Sequence, residues 1–453
     1  MRRILIISYH FYPSAAVGGR RMSELARYLA ARGDEVTVLS GLPDPSSMDD
    51  ALSARVAGCR IIGLRDILQV DRPLIKTKAF ALAAMAPLRR VPDPRARPKE
   101  AESQEARRAS GESLSARLRR YAISVLHALD RNKGWTLNAA RRLRSMRGRE
   151  QFDVVISSGP PFSPHFVAML AKRWFGARWI LDYRDPWFGN EATCPPEENS
   201  GLRSAVERRS ELASLRTADA VVAASWGITR AIERHHGMPA GQVTVLLNGY
   251  DETPVRGSSP TGTLTLLYAG ALYLNRNPIP LMDTLANCIE DGRFDRGKVK
   301  FTMIGDCRTW RDVDLVQWID TRGMHDVIRI LPFMKPSELG PHYERANVLV
   351  NFAQGQPDQI PGKVYEYIAS GKEMLVLTEA DSDTARVCAE ARLGQAVEPS
   401  DTAALRRALE RFYDFYVVNT SVFTAPEESI LRFSRDGQNA AYAARIDQVV
   451  SGG

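Results

Sequence analysis

Cysteine is scarce. The 453 residues hold five, Cys59, Cys194, Cys288, Cys307 and Cys388, with no C-x-x-C pair and no His/Cys cluster at metal-ligand spacing. A disulfide framework and a structural zinc site are therefore not expected. Long hydrophobic runs are missing too. The nearest approach to a membrane span is the ten-residue stretch from Ala79 to Leu88, about half the length a spanning helix needs. The opening MRRILIISYHFYP has only the short run Ile4 to Ile7 where a secretory signal has a longer apolar core. The expectation is a cytoplasmic protein that does not cross a membrane. Also absent after the first strand is the G-x-G-x-x-G of a dinucleotide site.

A net excess of positive charge is lacking everywhere except in one segment. Lys and Arg number 61 and Asp and Glu 53, but 17 of the basic and 7 of the acidic residues fall between 88 and 150, leaving 44 against 46 elsewhere. A partner for positive charge is to be sought in that segment rather than over a cationic body. Aromatic residues are sparse there, with only Tyr121 and Trp135 between 88 and 150, which argues against nucleic-acid binding. RPLIKTKAFALAAMAPLRR (Arg72 to Arg90) and ARLRRYAISVLHALDRNK (Ala116 to Lys133) combine apolar stretches with flanking basic residues. Such helices suit the interface of an anionic membrane.

What is abundant is short runs of Val, Ile and Leu separated by helix-length segments, the pattern of buried parallel strands. One series reads as strands at Arg3–Ser8, Glu35–Ser40, Arg60–Leu64, Phe152–Ser158, Arg178–Tyr183, Ala220–Ser225 and Val243–Asn248. A second follows at Leu264–Gly270, Val299–Gly305, Val327–Phe333, Asn347–Phe352 and Glu373–Thr378. Between them GYDETPVRGSSPTGT has linker chemistry. The organisation expected is an α/β first domain over 1–249 with a basic helical insertion at about 72–150, a second α/β domain over 250–425, and C-terminal helices over 426–453 that pack back on the first.

Candidate site residues lie where strands end. Gly18 and Gly19 precede the first helix, where a glycine lets the backbone approach a ligand and helix amides favour an anion. LDYRDPW places Arg184 and Asp185 at the carboxyl end of a parallel strand, the ligand edge of an open α/β sheet. In the second domain YAGALYLNRNP turns at Gly270 and presents Arg276, an arginine suited to clamping a phosphate. NFAQGQPDQIPGKVYEYIASGKEMLVL puts Asp358 in a loop, Lys363 in the first turn of a helix opening near Gly362, and Glu366 one turn on. A lysine in a first turn opposes the helix dipole unless an anion is bound. Two Asp-x-Asp triplets, Asp312 to Asp314 and Asp381 to Asp383, read as solvated surface acids.

In order and spacing these pieces resemble the family-4 retaining glycosyltransferases. The stretches that carry the resemblance are YHFYPSAAVGGRRMSELARYLAARGDEVTVLS, SSGPPFSPHFVAMLAKRWFGARWILDYRDPW, VLLNGYD, YAGALYLNRNP, IGD and PDQIPGKVYEYIASGKEMLVL, covering most of the chain except the basic insertion. The resemblance implies the GT-B architecture, two Rossmann-like parallel-sheet domains facing a cleft. It also implies transfer of a sugar from a nucleotide-sugar donor, with no cofactor and no metal. Gly19 would then pass close to the donor diphosphate, and Asp358 and Glu366 stand at the family's pair of acids, the first meeting the donor sugar and the second the ribose. Asp185 falls near the transferred sugar with Arg184 as its charge partner. The family's diphosphate clamp is an Arg followed five residues later by a Lys; here those positions are Ala271 and Arg276, and Lys363 is placed to replace the missing charge. The basic insertion suits a lipid-linked glycan acceptor in surface polysaccharide assembly, met at the inner face of the cell membrane. Two alternatives stand beside this expectation, a nucleotide-sugar 2-epimerase and a catalytically weak scaffold of the same fold.

Overall fold

The computed structural model describes residues 1–14, 16–43, 48–67, 132–189, 201–251, 261–273, 275–335 and 338–452. The amphipathic stretch Arg72 to Arg90, nearly all of Ala116 to Lys133, and Cys194 lie outside the described residues. The chain forms two compact units. The first comprises Met1–Val222, Arg234–Gln242 and Ile446–Gly453; the second comprises Ala223–Glu233 and Val243–Arg445.

A seven-stranded sheet runs through the first unit, its last strand counting with the second. Its strands are β1 (Arg3–Ile7), β2 (Glu35–Gly41), β3 (Arg60–Leu64), β4 (Val154–Gly159), β5 (Arg178–Tyr183), β6 (Ala220–Ala223) and β7 (Val243–Val245), in the order β3-β2-β1-β4-β5-β6-β7. The pairs β3–β2, β2–β1, β1–β4 and β4–β5 are parallel. Ile4, Leu5, Ile6 and Ile7 are all fully buried, because helices bridging parallel strands cover both faces and leave no solvent side for a polar alternation. Those helices are α1 (Arg20–Ala31), α2 (Asp50–Arg55), α3 (Lys133–Met146), α4 (Ser163–Phe175), α5 (Gly201–Thr217) and α6 (Trp226–His236), of which α6 begins in the second unit. The described end of the basic segment is α3. Trp135, Ala139, Leu143 and Met146 repeat every three or four residues along it and are buried, and Trp135 donates Nε1–H to the Ser40 carbonyl at 2.9 Å. Its arginines occupy the other face.

The second unit holds a six-stranded, all-parallel sheet in the order β12-β9-β8-β13-β14-β15. The strands are β8 (Leu264–Ala269), β9 (Val299–Ile304), β12 (Ile328–Leu331), β13 (Val348–Phe352), β14 (Glu373–Leu377) and β15 (Gly394–Val397), with a small antiparallel hairpin of β10 (Thr309–Trp310) and β11 (Val313–Asp314). Alternate residues feed two apolar clusters. Leu266, Tyr268, Phe301, Val350 and Leu375 pack on one face with α7 (Ile279–Glu290) and α12 (Thr402–Tyr413). Leu267, Ala269, Leu349, Met374 and Val376 pack on the other with α10 (Gly362–Ser370) and α11 (Asp383–Ala391). Two short helices, α8 (Leu315–Thr321) and α9 (Gly340–Arg345), complete the crossovers, and α13 (Glu427–Leu431) and α14 (Arg435–Ser451) close the chain. The last residues of α14 count with the first unit, where Asp447 takes Arg2 at 3.0 Å and Arg32 at 3.1 Å.

The hairpin and β15 have no counterpart among the strands expected from sequence, since neither carries a run of branched apolar residues. Both sheets have a doubly wound order, with the strand order reversing between β1 and β4 in the first unit and between β8 and β13 in the second. Loops at the carboxyl ends of those strand pairs are where such sheets place ligands.

Candidate active site

In the first unit the loop after β1 runs to α1 through a single 3-10 turn ending at Gly19. A Cβ on Gly19 would lie 3.0 Å from the Phe11 backbone nitrogen, so the close return of the chain favours glycine there. Arg184 donates to the carbonyl oxygen of Gly18, joining the loop after β1 to the residue after β5. The neighbouring Asp182 is not part of an exposed network. It is fully buried and accepts from Arg21 Nη2 at 2.9 Å and from Ser158 Oγ at 2.8 Å, which locks the first turn of α1 to β4 and β5.

Arg184 and Asp185 form the charged centre of this edge. Burial pushes the Asp185 carboxyl above its usual range, and the Arg184 guanidinium opposes that rise. Burial likewise holds Arg184 below its usual value, while Asp185 and Asp182 pull the other way. His165 is fully buried, bonds through Nδ1 to Ser157 Oγ at 2.8 Å, and is pushed down to about 3 by burial and by Arg184. It is a neutral histidine in the wall. His10, in the loop after β1, is lowered by the same two causes. No sequence motif marks His10 as a neighbour of Arg184, because 174 residues separate them and only the pairing of the sheet brings them together.

In the second unit Gly270 follows β8, and its backbone nitrogen donates to Ile304 O at 2.9 Å. Gly305, at φ +129°, sits so close to the Gly270 carbonyl that a Cβ there would overlap it. The loop then carries Arg276, whose guanidinium lies over the Tyr273 ring at 4.0 Å. Arg276 Nε is buried and has no hydrogen-bond partner. Tyr367 on α10 accepts from the Ala269 nitrogen at 3.1 Å, which fixes α10 against the strand end from which this loop leaves. That helix starts at Gly362 with no side-chain cap and no acid in its first turn, and Lys363 is its second residue. Lys363 Nζ meets Glu366 Oε2 at 2.6 Å, one turn along.

Asp358 stands apart from this group. Its Oδ1 accepts from Arg230 Nη2 at 2.7 Å, and the same nitrogen meets Asp383 Oδ1 at 2.8 Å. Asp383 also receives the Gly227 backbone N–H at 2.6 Å, and Ser225 Oγ donates to the Asp358 carbonyl at 2.9 Å. Asp383 is 1 % exposed, which corrects its reading as a solvated acid; Asp314 is exposed, as expected, and caps α8 by accepting from the Val316 and Gln317 backbone N–H groups. The sequence reading missed Arg230 altogether. It lies 128 residues from Asp358 on a helix of ordinary amphipathic pattern. Among the described residues no group of three His, Cys, Asp or Glu is placed to hold a metal ion, and no helix is long and apolar enough to cross a membrane.

Residues 18–249, just over half of the chain, match the family described as glycosyl transferase 4-like domain. Among curated proteins no sequence matches. Solved structures share the fold over nearly the whole length. Sucrose-phosphate synthase from Thermosynechococcus elongatus is 15% identical, with a TM-score of 0.59 over all of both chains. Anabaena Alr3699/HepE in complex with UDP is 12% identical with a TM-score of 0.58, over 98% of this chain and 100% of that one. The lipopolysaccharide outer core galactosyltransferase WaaB, in its apo form, is 14% identical with a TM-score of 0.56, over 97% of this chain and 99% of that one.

Proposed function

We propose, for a chain that belongs to the glycosyl transferase 4-like domain family and is a glycosyltransferase of the GT-B fold, that it moves a sugar from a nucleoside-diphosphate donor onto a lipid-linked glycan with retention of configuration. The observation that carries the donor class is the buried, unpartnered Nε of Arg276 on the loop that α10 abuts. A buried guanidinium nitrogen without an acceptor is costly unless a ligand supplies one. A diphosphate does so, and the uncapped N-terminus of α10 and Lys363 add positive potential beside it. The HepE complex with UDP supports the same class of donor.

In the transition state the anomeric carbon gathers positive charge and the departing diphosphate gathers negative charge. Arg276 and Lys363 stabilise the leaving group electrostatically, in place of a metal. Gly19 and Gly270 keep backbone close to the donor, and Glu366, held by Lys363, is available to the ribose. Asp185 sits near the transferred sugar with Arg184 beside it, and Asp358 meets the donor sugar from its position against Arg230. The acceptor hydroxyl attacks on the face the diphosphate leaves, and a phosphate oxygen takes its proton. The basic segment between 88 and 150, and the likeness in fold to a lipopolysaccharide outer core galactosyltransferase, support a lipid-linked acceptor at an anionic membrane.

Purified protein incubated with a panel of nucleotide sugars, read by thermal shift and by donor turnover with and without a lipid-linked glycan, tests this reading. Arg276→Ala and Lys363→Ala are expected to weaken donor binding at least about tenfold each, and unchanged affinity in both would overturn the donor site. Rapid conversion of a donor with no acceptor present would favour an epimerase. Because Ala271 removes half of the family's clamp, a scaffold that binds donor without turnover is the second reading, and transfer to any acceptor excludes it.

A further inference from the structure

Three buried nitrogen atoms at the carboxyl edge of the first sheet have no hydrogen-bond partner among the described residues. Arg184 Nε and Trp187 Nε1 lie in the chain that leaves β5, and His165 Nε2 lies in the first turn of α4. Arginine and tryptophan nitrogens only donate. The role of the histidine follows from its neighbours. Trp179 Nε1 donates to Ser157 Oγ at 2.8 Å, and the same oxygen meets His165 Nδ1 at 2.8 Å. Ser157 is fully buried, and its hydroxyl proton has an acceptor only if Nδ1 takes it. The proton of the neutral imidazole then sits on Nε2, so all three orphan atoms are donors.

They share one neighbourhood. The His165 and Trp187 ring centroids are 5.5 Å apart, and Phe162, the residue before α4, stacks on Trp187 at 4.7 Å and 5°. Arg184 lies close enough to lower His165 electrostatically, and its Nη1 is spent on the Gly18 carbonyl. His165 Nε2 faces Gly159, where a Cβ would come within 2.8 Å, so glycine at the end of β4 keeps that side of the ring clear. The start of α4 has no side-chain cap and no acid in its first turn, and its positive end adds to the same field. Pro164 has no amide proton and the His165 amide bonds to the Phe162 carbonyl at 3.1 Å, so side chains supply the donors. The acid in this stretch, Asp185, interacts with Arg184 and is pushed toward its neutral form by burial.

A buried donor without an acceptor costs free energy that a ligand oxygen recovers. A group that only accepts and carries negative charge suits three donors and a helix N-terminus better than one that must place protons of its own. We propose that Arg184, His165 and Trp187 form an oxyanion subsite, built from the first unit alone, that takes a phosphate group of the acceptor. The anion site stands on these donors, and its assignment to the acceptor rests on the transfer proposed above. Trp187 is two residues from Asp185, so the phosphate stands near the reacting hydroxyl, as in a sugar phosphate or a short glycan on a lipid diphosphate.

The test titrates inorganic phosphate and geranyl diphosphate into the full-length protein, in an Arg276→Ala/Lys363→Ala background that disables the donor residues. Labelling with nitrogen-15 tryptophan gives one indole signal for each of the seven tryptophans, and the signal missing from Trp187→Phe is that of Trp187. Its indole proton is expected to move downfield on titration as the N–H gains an acceptor. Trp187→Phe, which keeps a ring to stack on Phe162, should weaken binding by calorimetry at least about tenfold, and His165→Leu should do the same. If His165→Leu fails to fold, the tryptophan signal and Trp187→Phe decide. Tighter binding of geranyl diphosphate than of phosphate places the phosphate on a lipid; equal binding places it on a free sugar phosphate. A Trp187 signal that neither ligand moves, or affinities indifferent to Trp187→Phe, would overturn the subsite. Donor binding is read separately, with nucleotide sugars on the otherwise unaltered protein, so failure of either site leaves the other standing.

Discussion

Asp358 is the residue for which position and partners pull apart, and substituting it separates a catalytic from an architectural role. Its ion pair with Arg230 is 33 % and 41 % exposed on the two sides, so solvent screening limits the pair to about 1 kcal/mol or less. Asp358→Ala should therefore lower the thermal midpoint of a domain this size by at most about 2–4 °C. Arg230→Ala is a heavier blow, because it leaves Asp383, 1 % exposed, with the Gly227 N–H but no cation. Stranding a buried charge costs about 3 kcal/mol or more, or about 6–12 °C. If Asp358 meets the donor sugar, Asp358→Ala should cut kcat by about a hundredfold or more despite its small structural cost, while Arg230→Ala loses more stability than rate. The assay is sugar transfer at saturating donor beside differential scanning calorimetry on the same preparations. Asp358→Ala protein that transfers at the wild-type rate would refute the reasoning and make Asp358 solely a tie between its loop and Arg230.

Three further outcomes follow from the first unit. Arg21→Met strands the fully buried Asp182 carboxylate and should cost about 3–5 kcal/mol in chemical denaturation; the double variant Arg21→Met/Asp182→Leu should recover much of the loss, and failure to recover would mean the pair itself supplies the stability. Asp185 binds its proton more tightly folded than unfolded, so its contribution turns unfavourable as pH rises above its ordinary value near 4; Asp185→Asn should raise the midpoint at pH 7, show no gain below about pH 4, and abolish most transfer. His165 behaves oppositely. Buried neutral with a folded value of about 3, it favours the folded state above about pH 6.5 and loses that contribution, about 5 kcal/mol in all, as pH falls toward 3. His165→Gln should flatten the acid limb of the stability profile, and an unchanged limb would show that other groups set it.

The sequence by itself determined the class of fold and where its ligand edges lie. Runs such as Ile4–Ile7 and Leu264–Ala269 are apolar at every position, and only a parallel sheet covered on both faces accommodates that. The glycines and charged residues following those runs then fall at strand ends as a matter of chain order, which is why the positions of Gly19, Arg184, Asp185, Gly270 and Arg276 in the fold, though not their roles, were legible one by one. Partnership was not legible. Asp383 looked like one of a pair of surface acids and is instead buried between Arg230 and a backbone amide. Asp182 lies two residues from Arg184 in the chain and yet takes Arg21, from the other end of the unit's sequence, as its partner. Trp135 looked like a stray aromatic in a basic segment and is a fully buried side chain bonded to Ser40. Periodicity reports which face of an element is apolar, a local property of the chain. Which charge meets which depends on register and crossover geometry over separations of a hundred residues or more, and only the tertiary structure decides that.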